Sequence, residues 1–188
     1  MKKNHFLCFG LLFLVCQFAA LVTYAQVNQP VIAFVTIQSA KSGTIKGGSM
    51  QRETEGQIEC IGFSYTVKSP RDAASGLPSG KRVEGAITIT KHLDISTPQL
   101  LQMLYTNESL KSVKIDFYKR SATGMLTLFQ AIQLTNATIS EVSQYGGTLS
   151  PDKLIPNSLV NENVSFTFQK IEFSNIEGKT TAADNWMQ

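Results

Sequence analysis

The chain has 188 residues, with 17 Lys and Arg against 14 Asp and Glu, a length that fits one ordinary domain with short attachments and not two large ones. Hydrophobic residues make up 43% and charged residues 16%, which excludes a disordered chain, because such a chain cannot bury apolar surface and is rich in charge. A formal net charge of +3 is too small to imply nucleic-acid binding by bulk electrostatics.

The first element reads as an address label. Lys2 and Lys3 form a positive head, Phe6 to Val15 is almost wholly apolar, and Thr23-Tyr24-Ala25 offers small residues three and one positions before a cut. These three parts together describe a secretory signal peptide, 1–25, rather than an uncleaved anchor. Cleavage leaves 163 residues with 15 basic and 14 acidic side chains and one cysteine, Cys60. One cysteine closes no intramolecular disulfide, so an exported domain of this size is held by its core or by partner subunits. Cys60 itself reads as a small buried apolar residue.

In the mature chain, alternation with period two dominates, the mark of half-buried strands. Val31 to Ile37 alternates, with Ile32 and Phe34 making both faces apolar. Gln57 to Val67 is a second strand-like run, and Val83 to Thr90 contains Ile87-Thr88-Ile89-Thr90. Asp94 to Gln99 carries a helix start, with an N-cap candidate at Ser96, Pro98 in the first turn and Gln99 three residues after Ser96. Leu100, Leu101, Leu104 and Tyr105 then fall on one stripe, giving a single helix over about 97–106 that stops at Asn107. Val113, Ile115 and Phe117 alternate next, and Leu126 to Val142 is long enough for two strands with a break near Asn136. Val164, Phe166 and Phe168 share a face, but Ile171 and Phe173 have the opposite parity, so a β-bulge is expected near Gln169-Lys170. Loops are placed at 39–55, 69–81, 120–124 and 144–161, and residues 179–188 read as a polar tail, mobile apart from Trp186. The fold class is mainly β, an antiparallel barrel or sandwich with one helix.

The chemistry-bearing residues are sparse. His92 is the single histidine of the mature chain and no Gly-x-Ser-x-Gly surrounds any serine, so a Ser–His–Asp device is not expected. Zinc requires clustered Cys and His, and no cofactor is expected. Paired carboxylates for glycoside cleavage could arise only if Glu59, Glu84, Glu141 or Glu172 met in space. Lys68, Arg71, Lys81 and Arg82 flank one loop and read as solvated charges.

Four segments in order resemble the Hcp family, the tube protein of type VI secretion systems. Ile45-Lys46-Gly47-Gly48-Ser49 resembles its early lysine-glycine loop, and Ile58 to Tyr65 its aromatic-Ser-aromatic strand. Ile87 to Leu100 resembles a strand, turn and helix start of the family, and Glu162 to Glu172 its C-terminal strand. The resemblance spans about residues 31–176, inside a domain bounded at 26–178. It implies a compact barrel with one lateral helix, hexameric rings that stack into a tube, and a lumen that holds exported effector proteins. By the same resemblance, the loop 39–55, with Lys46, Gly47, Gly48 and Ser49, meets a neighbouring subunit or ring, and Ser64 turns towards the lumen. The implied partners are further copies of the chain, effectors and other secretion components. No nucleic acid, small-molecule substrate or, after cleavage, membrane is implied.

The leader departs from this pattern, because Hcp proteins of the usual kind carry no export signal. The competing reading is an exported Hcp-like β-domain that binds a ligand or carbohydrate without building a tube, and a third is a hydrolase using carboxylates.

Overall fold

A computed structural model describes residues 32–121, 124–146 and 160–186. The leader 1–25 and most of the loop 144–161 lie outside the described residues. The described residues belong to one compact unit. Among the described residues, eleven strands and one helix follow in chain order: β1 (Ile32–Ser39), β2 (Ile58–Cys60), β3 (Gly62–Ser64), β4 (Val67–Lys68), β5 (Val83–Glu84), β6 (Ile87–His92), α1 (Thr97–Tyr105), β7 (Leu110–Arg120), β8 (Leu126–Tyr145), β9 (Asn161–Thr167), β10 (Lys170–Asn175) and β11 (Thr180–Asn185).

Every strand pairing is antiparallel. The main sheet runs β2-β1-β7-β8-β9-β6-β3, with β10 and β11 added beside β8. Two features fold this path onto itself. The long strand β8 pairs with β7 and β10 up to Ala137, then with β9 from Thr138 onward. The change of partners falls beside Asn136, whose φ of 49° is the left-handed conformation asparagine tolerates better than most residues. The expected break is therefore a bend in one continuous strand. At the other side, β2 pairs with β1 while β3, one residue later, pairs with β6. Ile61 sits between them and its N–H donates to the Thr90 carbonyl at 2.8 Å. The chain thus crosses between sheet halves on both sides, which gives the barrel-like sandwich that the alternation implied.

Alternate residues of facing strands fill the space between the halves. Val35 and Ile37 of β1, Ile58 of β2, Ile87 and Ile89 of β6, Val113 and Ile115 of β7, Ile132 and Leu134 of β8 and Val164 and Phe166 of β9 are all fully buried. Each such side chain contributes about 1.5–3 kcal/mol on burial. Helix α1 covers part of this core with Leu100 and Met103. Its start differs from the expectation: Ser96 makes no side-chain cap and instead its hydroxyl donates to Asp94 Oδ1 at 2.6 Å. Its end is as read, with Asn107 at φ 49° and the Glu108 N–H returning to the Met103 carbonyl at 2.9 Å.

Two further expectations change. The parity flip near Gln169-Lys170 is a break between β9 and β10, not a bulge. The Gln169 N–H leaves the ladder for the Thr135 and Asn136 carbonyls at 3.1 and 3.2 Å. The segment 179–188, read as a mobile tail, contains β11, which pairs residue by residue with β10 through Lys170↔Asn185 to Asn175↔Thr180. A turn with Lys179 at φ 50° returns the chain, and Trp186 packs on Phe168 with ring centroids 5.0 Å apart.

Candidate functional site

Ser64 ends the short strand β3 and is exposed. Phe63 points the other way and meets Phe117 edge-on at 5.3 Å, so the alternation of the strand fixes Ser64 on the outer face. Register extends that face across three more strands. Ser64 pairs with Thr88, Thr88 with Ser165 and Ser165 with Glu141. In the next row Gly62 pairs with Thr90, Thr90 with Asn163 and Asn163 with Ser143. His92, Asn161 and Tyr145 make a third row. Across these three rows, Glu141 is the single carboxylate among hydroxyl, amide and ring groups. The groups pair sideways: Thr88 with Ser165 at 2.8 Å, the Thr90 hydroxyl to Asn163 Oδ1 at 2.8 Å, and His92 Nδ1 with Asn161 Oδ1 at 2.6 Å. Each cross-strand pair stabilises the sheet by roughly 0.2–1 kcal/mol. The result is a nearly uncharged polar wall in which Thr88, Ser165, Thr90, Asn163, His92 and Asn161 already hydrogen-bond one another, with no activated nucleophile.

The lysine-glycine loop lies on another part of the surface and is stitched to its own chain. The Gly47 N–H donates to the Gly56 carbonyl at 2.8 Å, the Gly56 N–H to the Ser49 carbonyl at 2.9 Å and the Ser49 N–H to the Gln57 carbonyl at 3.1 Å. A side chain at Gly47 would put its Cβ 2.2 Å from the Gln57 carbonyl oxygen, so this position has to be glycine. Ile45, Gly47 and Ser49 face inward, while Lys46, Gly48 and Met50 face solvent. Gly48 N–H donates to Asp94 Oδ2 at 2.8 Å, which ties the loop to the start of α1. Sequence similarity thus marks a strapped hairpin here. The second long loop is of another kind: β4 and β5 pair at its base, Arg71 bridges Pro78, and from Thr66 to Val83 all residues but Pro70 are exposed. Leu77 and Val83 are 65% and 59% exposed on this arm.

A buried charged cluster was missed by the sequence reading. Lys91 and Glu162 are both fully buried, with Nζ 2.7 Å from Glu162 Oε1. The same Nζ donates to the His92 carbonyl at 2.8 Å, Asp94 Oδ1 at 2.9 Å and the Thr97 hydroxyl at 3.2 Å. Thr97 donates to Glu162 Oε1 at 2.8 Å and Gln144 to Oε2 at 3.0 Å. The signal was present as parity, since Lys91 continues the inward set Ile87, Ile89 and Glu162 precedes the inward Val164 and Phe166. At Asp94, burial pushes the carboxyl up, but hydrogen bonds from Ser96 and Lys91 outweigh it and the group titrates below the usual range.

Several of the remaining candidates have ordinary surroundings. Cys60 is buried and free, and burial pushes its thiol up to about 11 against opposing backbone hydrogen bonds, which leaves it unreactive near neutral pH. Arg82 is not a free surface charge, because it pairs with Glu84 and Asp184. Glu84 also accepts the Tyr65 hydroxyl at 2.5 Å, and Glu172 pairs with Lys170 at 3.0 Å. Among the described residues, no group of three His, Cys, Asp or Glu could hold a metal, and no helix is long and apolar enough to cross a membrane.

This fold and its sequence have known counterparts. A family described as "Type VI secretion system effector, Hcp" matches residues 34–174. A protein of Pseudomonas aeruginosa named "Major exported protein" is 31% identical over 164 residues, covering 82% of this chain and 94% of its own. Among solved structures, one described as an Hcp protein superposes with a TM-score of 0.74 at 25% identity, over 82% of this chain and 99% of that one. The secreted protein Hcp3 from Pseudomonas aeruginosa gives 0.68 at 26% identity, over 84% of this chain and 99% of that one. The family match covers the chain from β1 to β10 and carries the strand, loop and helix arrangement described above. The chain belongs to the Hcp family of type VI secretion proteins.

Proposed function

We propose that the mature chain, beginning near Gln26, is a structural subunit that closes into a hexameric ring, with the polar wall around Ser64 lining the lumen. The observation that carries this reading is the wall itself. A surface of hydroxyls and amides that already hydrogen-bond one another offers a passing protein weak, replaceable contacts and almost no charge to trap it. A cargo needs this combination if it is to be held and then released. The ring requires each subunit to present two different surfaces. The exposed Lys46, Gly48 and Met50 of the lysine-glycine loop and the exposed Leu77 of the 67–84 arm are the surfaces offered to neighbours within or between rings. In this role the protein is not an enzyme, and its partners are its own copies and exported proteins.

The leader makes the assembly extracytoplasmic, after cleavage at Ala25, which sets this chain apart from family members built in the cytoplasm. Multi-angle light scattering on residues 26–188 tests the assembly. A particle of six chains is expected, and a monomer at all concentrations would leave the fold without the ring.

A further inference from the structure

A second site lies where β8 bends, and its chemistry is independent of ring formation. Asn136, Thr138, Thr167, Phe168, Gln169 and Trp186 line an open cavity of about 480 Å³, within the range of about 300–1,000 Å³ typical of small-ligand sites. Among the described residues the lining has no charged side chain: it offers two hydroxyls, two primary amides and two aromatic rings.

These groups are arranged before any ligand arrives. The Asn136 amide donates to Gln169 Oε1 at 2.6 Å. That contact leaves Asn136 Oδ1 as an acceptor and Gln169 Nε2 with two donors. The Gln169 backbone is pinned in turn: its N–H donates to the Thr135 and Asn136 carbonyls, and its carbonyl accepts the Trp186 backbone N–H at 2.9 Å. The Thr138 and Thr167 hydroxyls pair at 2.9 Å, which leaves one donor and spare lone pairs between them. Trp186 meets Phe168 with ring planes 86° apart, and a perpendicular contact occupies at most one of the two indole faces.

A ligand that fits is neutral, because nothing in the lining would compensate a charge. It carries donors and acceptors side by side, to satisfy both amides and hydroxyls, and it has an apolar face for the indole. A pyranose ring meets all three conditions, with its hydroxyls around the rim and its C–H bonds on the face. We propose that this cavity binds a neutral pyranose saccharide, stacked on Trp186 and hydrogen-bonded by Gln169, Asn136 and the Thr138–Thr167 pair.

Trp186 is the single tryptophan of the chain, so its emission reports the site directly. Residues 26–188 are titrated with cellobiose and, separately, with N,N′-diacetylchitobiose. A saturable change in Trp186 emission with at least one of them is expected. Gln169→Ala, which removes an exposed side chain and keeps the fluorophore, should weaken that binding about tenfold, as loss of a ligand hydrogen bond does. Thr167→Val, equal in shape but without the hydroxyl, should weaken it in the same direction. No saturable response to either disaccharide overturns the proposal, as does a response that both variants leave unchanged. Neither result depends on whether the chain forms rings.

Discussion

Replacing Lys91 by Met removes the cation at the centre of the buried cluster while keeping most of the side-chain volume. Glu162 is then a fully buried carboxylate that keeps only its contacts with Thr97 and Gln144. Breaking a buried pair by removing one partner costs about 3–5 kcal/mol, mainly the penalty of the charge left behind. Against a total stability of about 5–15 kcal/mol, this is a large fraction. At a urea slope of about 2 kcal/mol/M it lowers the unfolding midpoint by about 1.5–2.5 M. Urea titration at pH 7, followed by Trp186 emission and by circular dichroism, measures it. The companion double variant Lys91→Met, Glu162→Leu removes both charges, and replacing a buried pair by apolar groups is often near neutral. It should therefore be more stable than Lys91→Met alone. If the double variant loses the sum of the two single effects, the charges do not act as a pair and the reasoning fails.

Other outcomes follow from single contacts. Gly47→Ala places a methyl against the Gln57 carbonyl, which is backbone and cannot swing away. The hairpin 47–57 should open, seen as faster amide exchange at Gly47, Ser49 and Gly56 with little change at β7. At Glu108, the Ser39 hydroxyl foremost, and the Lys41 and Ser42 groups after a smaller opposing effect of burial, hold the carboxyl below its ordinary 4.5. A folded value below the unfolded one contributes stability above the unfolded value and loses it as pH falls through the folded one. Glu108→Gln should therefore be less stable at pH 7 and lose less stability than the native chain on acidification below 4.5.

Much of the fold was legible because the relevant physics is local. Alternation of β-branched and aromatic residues marked β1, β6, β7 and β9, and Ser96-Thr97-Pro98 with the leucine stripe marked α1. What alternation hid was pairing. Thr180-Thr181-Ala182-Ala183-Asp184-Asn185 has almost no hydrophobic signal, and it becomes a strand only because β10 offers an open edge. The break at Gln169 copies the sequence signature of a bulge, since both reverse parity, and only the carbonyls of Thr135 and Asn136 decide between them. Lys91 and Glu162 were legible in parity but lie against the ordinary exposure of charged residues. The polar wall around Ser64 could not be read from one strand, because it is assembled by register from β3, β6, β8 and β9. The loop that resemblance selected, 39–55, is strapped down by Gly47 and Asp94, and the 67–84 arm, which showed only turn residues and flanking basic side chains, forms a second exposed hairpin.

The ring with Ser64 on its inner wall is tested most directly by spin labels at Ser64→Cys in residues 26–188, with pulsed dipolar spectroscopy. Cys60 is buried and its thiol is pushed up to about 11, so the introduced cysteine alone takes the label. A sixfold ring gives three distances in the ratio of roughly 1:1.7:2, and they should be shorter than those from a label at Tyr105→Cys on the lateral helix. A signal with no defined distance, or a Ser64 set longer than the Tyr105 set, would contradict the lumen-facing ring.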